Sequence, residues 1–249
     1  MTKGDVEFAK VSCAFAGGQV LLHEISLKLA GGTTTALLGR SGAGKTTLLR
    51  MVNGLVRPTS GCVLVDGVDV GSADVVELRR GIGYVIQETG LFPHMTVERN
   101  IGLSLELTGR SRSEITARVT EWLSLVGLDA AEFRERYPWQ LSGGQRQRVG
   151  LARALASEPK ALLMDEPFGA LDPLTCGEMQ AMLKNLLNRV GKTVVLVTHD
   201  LNEALYLADR MVFLDQGEVV ADLGADKVSG SENAYVRDYV SAVHHGLIS

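Results

Sequence analysis

Apolar positions along this chain follow two rhythms that take turns. Unbroken apolar runs, ALLG at 36–39, CVLV at 62–65, GYVIQ at 83–87, KALLMD at 160–165, TVVLV at 193–197 and MVFLD at 211–215, read as strands. Other stretches place apolar residues at helical spacing: 96–109, 112–128, 178–190 and 201–210. Ile115, Val119, Trp122, Leu123 and Val126 form one such stripe, Met179, Met182, Leu183 and Leu186 another, and both read as core faces. Up to Gln87 the pattern predicts strands and turns around one long helix, with the strand GYVIQ ending at Gln87. Residues 96–157 then read as a mostly helical subdomain inserted into an α/β core. Strands alternating with helices predict a three-layer α/β domain whose ligand sits at the carboxyl ends of the strands.

The 249 residues suffice for one large α/β domain or two small ones, and 45% apolar content supports a sizeable core. A formal charge of −4 from 25 basic and 29 acidic residues gives no sign of a nucleic-acid surface. Cys13, Cys62 and Cys176 are widely spaced and form no C-x-x-C pair, which points to ordinary thiols in a reducing compartment. The start MTKGDVEFAKVSC has no signal-peptide core, and no run approaches the roughly 18 apolar residues of a spanning helix. Any membrane association is therefore expected to come through a partner.

The strand ALL runs into GRSGAGKTT, comprising Gly39, Arg40, Ser41, Gly42, Ala43, Gly44, Lys45, Thr46 and Thr47, and a helix follows. Glycines at these spacings let successive amides turn inward around phosphates while the helix adds its positive end. Lys45 reaches the β- and γ-phosphates, Thr46 offers its hydroxyl to Mg²⁺, and Thr47 is a further donor.

Further polar residues stand at strand ends or helix starts. The run ALLMDE ends in two carboxylates, and carboxylates at the end of a buried strand are costly unless they have a task. Asp165 suits the Mg²⁺ shell and Glu166 suits a general base for water; both would also suit capping of the next helix. Gln87 can coordinate Mg²⁺ or water and report the γ-phosphate to the helices beyond it. His199, after VVLVT, can bond the γ-phosphate and the attacking water, or be satisfied by a backbone partner. The stretch LSGGQ offers Ser142, Gly143, Gly144 and Gln145 as a second helix-start phosphate site.

Together these motifs resemble the ATP-binding subunits of ABC transporters over nearly the whole chain. GRSGAGKT matches the family's phosphate loop, Gln87 its Q-loop, LSGGQ its signature, LLMDE its second nucleotide motif, Ala170, Leu171 and Asp172 its D-loop, and His199 its switch histidine. The resemblance implies a P-loop NTPase core with an N-terminal antiparallel β region, one nucleotide-binding domain over 1–249. Within it, 88–157 is the helical signature subdomain and 225–249 a short C-terminal extension. It implies ATP and Mg²⁺ as ligands, and a head-to-tail pair with a second copy or close homologue that sandwiches ATP between one phosphate loop and the other chain's signature. It also implies transmembrane permease subunits at the cytoplasmic face of the membrane, a solute-binding protein acting through them, and an aromatic residue, here Phe15, stacked on adenine. ETGLFPHM, with Leu91, Phe92 and Met95, is expected either to form part of a groove for a permease helix or to pack the helical insert on the core.

IGYVIQETGLFPHMTVERNI, YPWQLSGGQRQR, DEPFGALDP and the tail AYVRDYV are similar to importers of quaternary-ammonium osmoprotectants such as glycine betaine, choline and carnitine. Many of those continue into paired regulatory CBS modules, which are not expected here because the sequence ends at Ser249. Glu88 departs from a Gln common in that group. The alternative is the ATPase of an exporter or lipid-transport system.

Overall fold

The structure, a computed structural model, describes residues 4–14, 17–87 and 90–246, the last three of these by backbone alone. In chain order its elements are β1 (Val6–Ala14), β2 (Val20–Leu29), β3 (Thr34–Leu38), α1 (Lys45–Val52), β4 (Ser60–Val65), β5 (Val68–Asp69), α2 (Val75–Arg80) and β6 (Ile82–Val85). They continue as α3 (Val97–Leu107), α4 (Arg112–Leu125), α5 (Ala130–Phe133), α6 (Gly143–Ala156), β7 (Ala161–Asp165), α7 (Pro173–Val190), β8 (Thr193–Val197), α8 (Leu201–Leu207), β9 (Arg210–Asp215), β10 (Glu218–Gly224) and α9 (Ala234–Gly246). The chain divides into two compact units, one running up to Leu78 and resuming at Lys192, the other Arg79–Gly191.

In the first unit, β2–β1–β4–β5 form an antiparallel sheet, while β10–β9–β3–β8 run side by side with β3 parallel to both β8 and β9. Every residue of β3 and β8 is buried, as their unbroken apolar runs require. The glycine loop leaves the carboxyl end of β3 and His199 follows that of β8, so the pairing of these strands puts both segments at one edge. The long helix expected after the loop is in fact short: α1 spans 8 residues, and Gly54, at φ 65°, turns the chain just beyond it. Leu48 and Leu49 are fully buried, which contributes about 1.5–3 kcal/mol each. The periodicity did not mark α2, a helix without buried residues that starts because Asp74 Oδ1 accepts from Val76 N (2.8 Å) and Glu77 N (3.3 Å).

In the second unit β6 and β7 are parallel, with Val85 opposite Met164. The strand expected to end at Gln87 stops at Val85; the ladder runs out there, and Gln87 lies in the turn beyond. Helices α3 to α6 occupy the stretch read as helical, and Ile115, Val119, Trp122, Leu123 and Val126 are all buried. Of the methionine stripe, Met179, Leu183 and Leu186 are buried, and Met182 is half-buried. Asp172 caps α7 through Thr175 N (3.1 Å), and Pro173 takes the first position, where a missing N–H goes unnoticed. Those bonds to Thr175 also hold the Asp172 carboxyl below the usual carboxylate range.

Asn100, fully buried in α3, ties down the segment after Gln87. Its amide nitrogen donates to the carbonyls of Phe92 (3.1 Å), Met95 (3.1 Å) and Thr96 (3.0 Å), and its oxygen accepts from Phe92 N (2.8 Å). Asn100→Leu strips these partners at near-constant volume, with an expected destabilisation of about 3 kcal/mol by urea unfolding. A loss under about 1 kcal/mol would mean that water replaces the amide.

Candidate nucleotide-binding and hydrolytic residues

Three glycines shape the loop between β3 and α1: φ is 144° at Gly39, 80° at Gly42 and 98° at Gly44. Two of them are also held by close packing. A Cβ on Gly39 would lie 2.1 Å from the Leu214 carbonyl oxygen, and one on Gly44 would lie 2.3 Å from Leu22 Cδ2. Gly42 has open space around it, so its backbone angle alone demands glycine. Lys45 is 7% exposed, and its Nζ donates to the carbonyls of Gly39 (2.7 Å) and Arg40 (3.0 Å). A buried ammonium, the amides of a tight curl, and the hydroxyls of Thr46 and Thr47 at a helix start form a donor-rich cradle. Such a set fits an anion with several oxygens, and a nucleotide triphosphate tail is one.

His199 is exposed two residues beyond β8, between Thr198, whose hydroxyl donates to Glu203 Oε2 (2.7 Å), and Asp200, which caps α8 through Asn202 N (2.8 Å). The His199 carbonyl accepts from the Tyr239 hydroxyl (3.0 Å), so its segment has a partner contributed by α9.

Within the second unit, the parallel β6 and β7 put Gln87 at the same edge as Asp165 and Glu166. Asp165 is 6% exposed and accepts from the Tyr84 hydroxyl at 3.5 Å. Glu166 is half-buried and takes φ 46°, a left-handed angle that costs a non-glycine residue about 1–2 kcal/mol. The turn closes with Gly169 N on the Glu166 carbonyl (3.3 Å), and Gln87 Nε2 donates to Glu166 Oε2 (3.3 Å). A cation would take Gln87 by its amide oxygen, the atom of the amide with lone pairs to give. Neither carboxylate caps α7, whose cap is Asp172. Among the described residues no group of three or more His, Cys, Asp or Glu side chains is arranged to hold a metal ion. Within this unit Asp165 and Gln87 alone are a sparse donor set, so a divalent ion there would complete its shell with ligand oxygens and water, the habit of Mg²⁺.

The LSGGQ segment opens α6 as a capping box: Ser142 Oγ accepts from Gln145 N (3.2 Å), and Gln145 Oε1 accepts from Ser142 N (2.9 Å). Gln145 thus folds back on its own helix start. Gly144 is demanded by α7, because a Cβ there would lie 2.5 Å from Thr175 Cγ2. Sequence reasoning missed Tyr84 and Arg153. Arg153 Nη1 donates to the Gly90 carbonyl (2.7 Å), tying the segment after Gln87 to α6, and burial lowers its guanidinium from the usual value. Tyr84 could have been found as a polar-tipped aromatic one residue before Val85 in an otherwise apolar strand. Phe15 and Glu88 lie outside the described residues.

A glycine loop joining a parallel strand to a helix, with acidic and amide side chains at other strand ends, defines an α/β nucleotide-phosphate-binding protein of the P-loop NTPase kind. The chain belongs to the ABC transporter family, whose pattern it matches over residues 22–169. It is 44% identical over 236 residues to the glycine betaine/carnitine/choline transport ATP-binding protein OpuCA of Bacillus subtilis, covering 94% of this chain and 62% of that one. It is 49% identical over 217 residues to the sulfate/thiosulfate import ATP-binding protein CysA of Mesorhizobium japonicum, covering 86% and 62%. The chain thus spans less than two thirds of the length of these relatives. Among solved structures, a dimeric post-hydrolysis state of the ATP-binding cassette MJ0796 bound to ADP and phosphate superimposes with a TM-score of 0.79 at 36% identity, over 88% of this chain and 98% of that one. Among the described residues no helix is long and apolar enough to cross a membrane.

Proposed function

We propose that this chain is the ATP-hydrolysing subunit of a complex that imports a small solute, and that the solute is a quaternary-ammonium osmoprotectant. Its similarity to OpuCA over 94% of its length carries this reading.

The proposed roles divide by unit. In the first, the amides of Gly39 to Gly44 and the Lys45 ammonium take the β- and γ-phosphates, Thr46 faces Mg²⁺, Thr47 adds a donor, and His199 bonds the γ-phosphate. In the second, Asp165 and Gln87 serve the Mg²⁺ shell, and Glu166 accepts a proton from the attacking water. Mg²⁺, when bound, neutralises charge that builds on the phosphate oxygens. Ser142, Gly143, Gly144 and Gln145 meet the nucleotide held by a second copy, and Phe15 stacks on the adenine. Residues 88–157 form the signature subdomain and 225–249 a C-terminal extension.

Permease subunits anchor the pair at the cytoplasmic face of the membrane, and a solute-binding protein delivers the cargo to them. Phe92, 40% exposed while its backbone is fixed by Asn100, is suited to a permease contact. In vesicles carrying the complete transporter, Phe92→Asp is expected to lower ATP-driven glycine betaine uptake about tenfold or more, a loss of about 1.4 kcal/mol of coupling. ATP turnover by the isolated subunit stays within about twofold of wild type, since Phe92 is exposed and is none of the side chains proposed to meet the phosphates. The 49% identity to CysA makes an inorganic oxyanion the competing cargo. Uptake of sulfate in place of glycine betaine would overturn the solute assignment, and unimpaired uptake by Phe92→Asp would overturn the contact.

A further inference from the structure

The last helix, α9, is fixed by Asn233, whose Oδ1 accepts from Val236 N (3.2 Å) and whose Nδ2 donates to the Val220 carbonyl (3.0 Å). Its apolar face joins the core formed by Ala36, Leu38, Leu201, Ala204, Met211 and Phe213. Tyr235 and Tyr239 stand four residues apart and so share one face. Both rings meet the fully buried Phe213 edge-on, with centroids 6.5 Å and 5.6 Å away and interplanar angles of 73° and 76°.

Their hydroxyls reach past the ring packing to two different segments, the loop after β8 and the end of strand β9. Tyr239 donates to the His199 carbonyl at 3.0 Å. Tyr235 donates to the Leu214 carbonyl at 3.4 Å, the same oxygen that Gly39 packs against so closely that no Cβ fits. The N–H of Arg40 faces the Tyr235 hydroxyl and that of Gly39 faces Tyr239. Burial raises both hydroxyls above their ordinary value of 10.0; Asp215 and Arg40 also face Tyr235, and Asp200 and Tyr235 face Tyr239. Both groups therefore stay protonated, and able to donate, through the physiological range.

We propose that Tyr235 and Tyr239 are positioning residues, and that through their hydroxyls α9 braces the glycine loop and the His199 segment in their working geometry. Neither tyrosine need touch the nucleotide. Tyr239 acts on turnover through the backbone that carries the His199 imidazole. Tyr235 acts on nucleotide affinity through the strand that backs Gly39. The kinetic part of this assignment rests on the ATPase reading above; the brace itself does not.

Tyr→Phe at each position keeps the ring packing on Phe213 and deletes only the hydroxyl, so the variants should fold. Tyr239→Phe is expected to lower kcat about threefold to tenfold with KM for ATP within about twofold of wild type, the size of one lost hydrogen bond. Tyr235→Phe is expected to raise KM by about the same factor with kcat nearly unchanged. Amide hydrogen exchange on the nucleotide-free chain gives a second readout: Tyr239→Phe should speed exchange at 199–200, and Tyr235→Phe at 39–40, with slower effects elsewhere. Equal changes in both variants throughout the protein, or no change in either readout, would overturn the brace. A wild-type chain that hydrolyses no ATP but shows the local exchange pattern would refute the ATPase reading and leave the brace standing.

Discussion

Glu166→Gln lowers ATP turnover by about 10² to 10⁴ while MgATP binding persists, the expected outcome if this carboxylate takes the proton of the attacking water. The amide keeps the size of the side chain and its ability to accept from Gln87 Nε2, now 3.3 Å from Glu166 Oε2, and gives up only basicity. The backbone at φ 46° presents the side chain from a turn that the sequence would otherwise avoid, and this strain is one reason to look for function there. Glu166→Gly separates the two contributions. It relieves the left-handed strain by about 1 kcal/mol, which unfolding experiments would register as a gain, while turnover is lost as fully as in the glutamine variant. A glutamine variant that hydrolyses ATP at near wild-type speed would remove Glu166 from the mechanism.

Two single-site variants, each inert alone, regain hydrolysis when mixed. Lys45→Ala removes the ammonium from the glycine loop, and Ser142→Arg breaks the capping box at the start of α6 and fills the space before it. If ATP lies between the loop of one chain and the LSGGQ segment of another, each homodimer carries one defect in both sites. In the mixed dimer one site collects both defects and the other has neither. An equimolar mixture then contains about half mixed dimers with one intact site each, so about a quarter of wild-type activity returns, rising with protein concentration as pairing does. Phosphate release across a concentration series measures it. Activity that stays at the level of the separate variants, together with a Glu166→Gln chain that remains monomeric in MgATP by light scattering, would dismiss pairing through these surfaces. The 36% identity to a cassette solved as a dimer with ADP and phosphate is the reason to expect recovery.

Much of the site was legible because its chemistry is local. A phosphate loop works through the backbone of consecutive residues, so its glycines, its lysine and the following helix must be contiguous, and GRSGAGKTT announces them. The caps are local too: Ser142 with Gln145 and Asp172 with Thr175 each close within three residues. Buried parallel strands are equally plain, since burial on both faces leaves an unbroken apolar run such as TVVLV. Periodicity failed where burial was absent or pairing ended. Helix α2 buries nothing and so left no stripe, and β6 stops at Val85 although the apolar run goes on to Ile86.

By itself, then, the sequence determined most of the alternating strands and helices, the contiguous glycine loop before α1, the local helix caps and the family. Only the tertiary structure decided which constraint each residue answers to. Gly39 is required by the Leu214 carbonyl 175 positions further on as well as by its own angle, and Gly144 by Thr175 on another helix. Asn100 proved to be the anchor of the Phe92–Thr96 segment, and Tyr239 a partner of His199. These contacts join elements distant in the chain, and their distances of about 3 Å follow from how whole strands and helices pack, for which no short stretch of sequence carries a periodic or compositional signal.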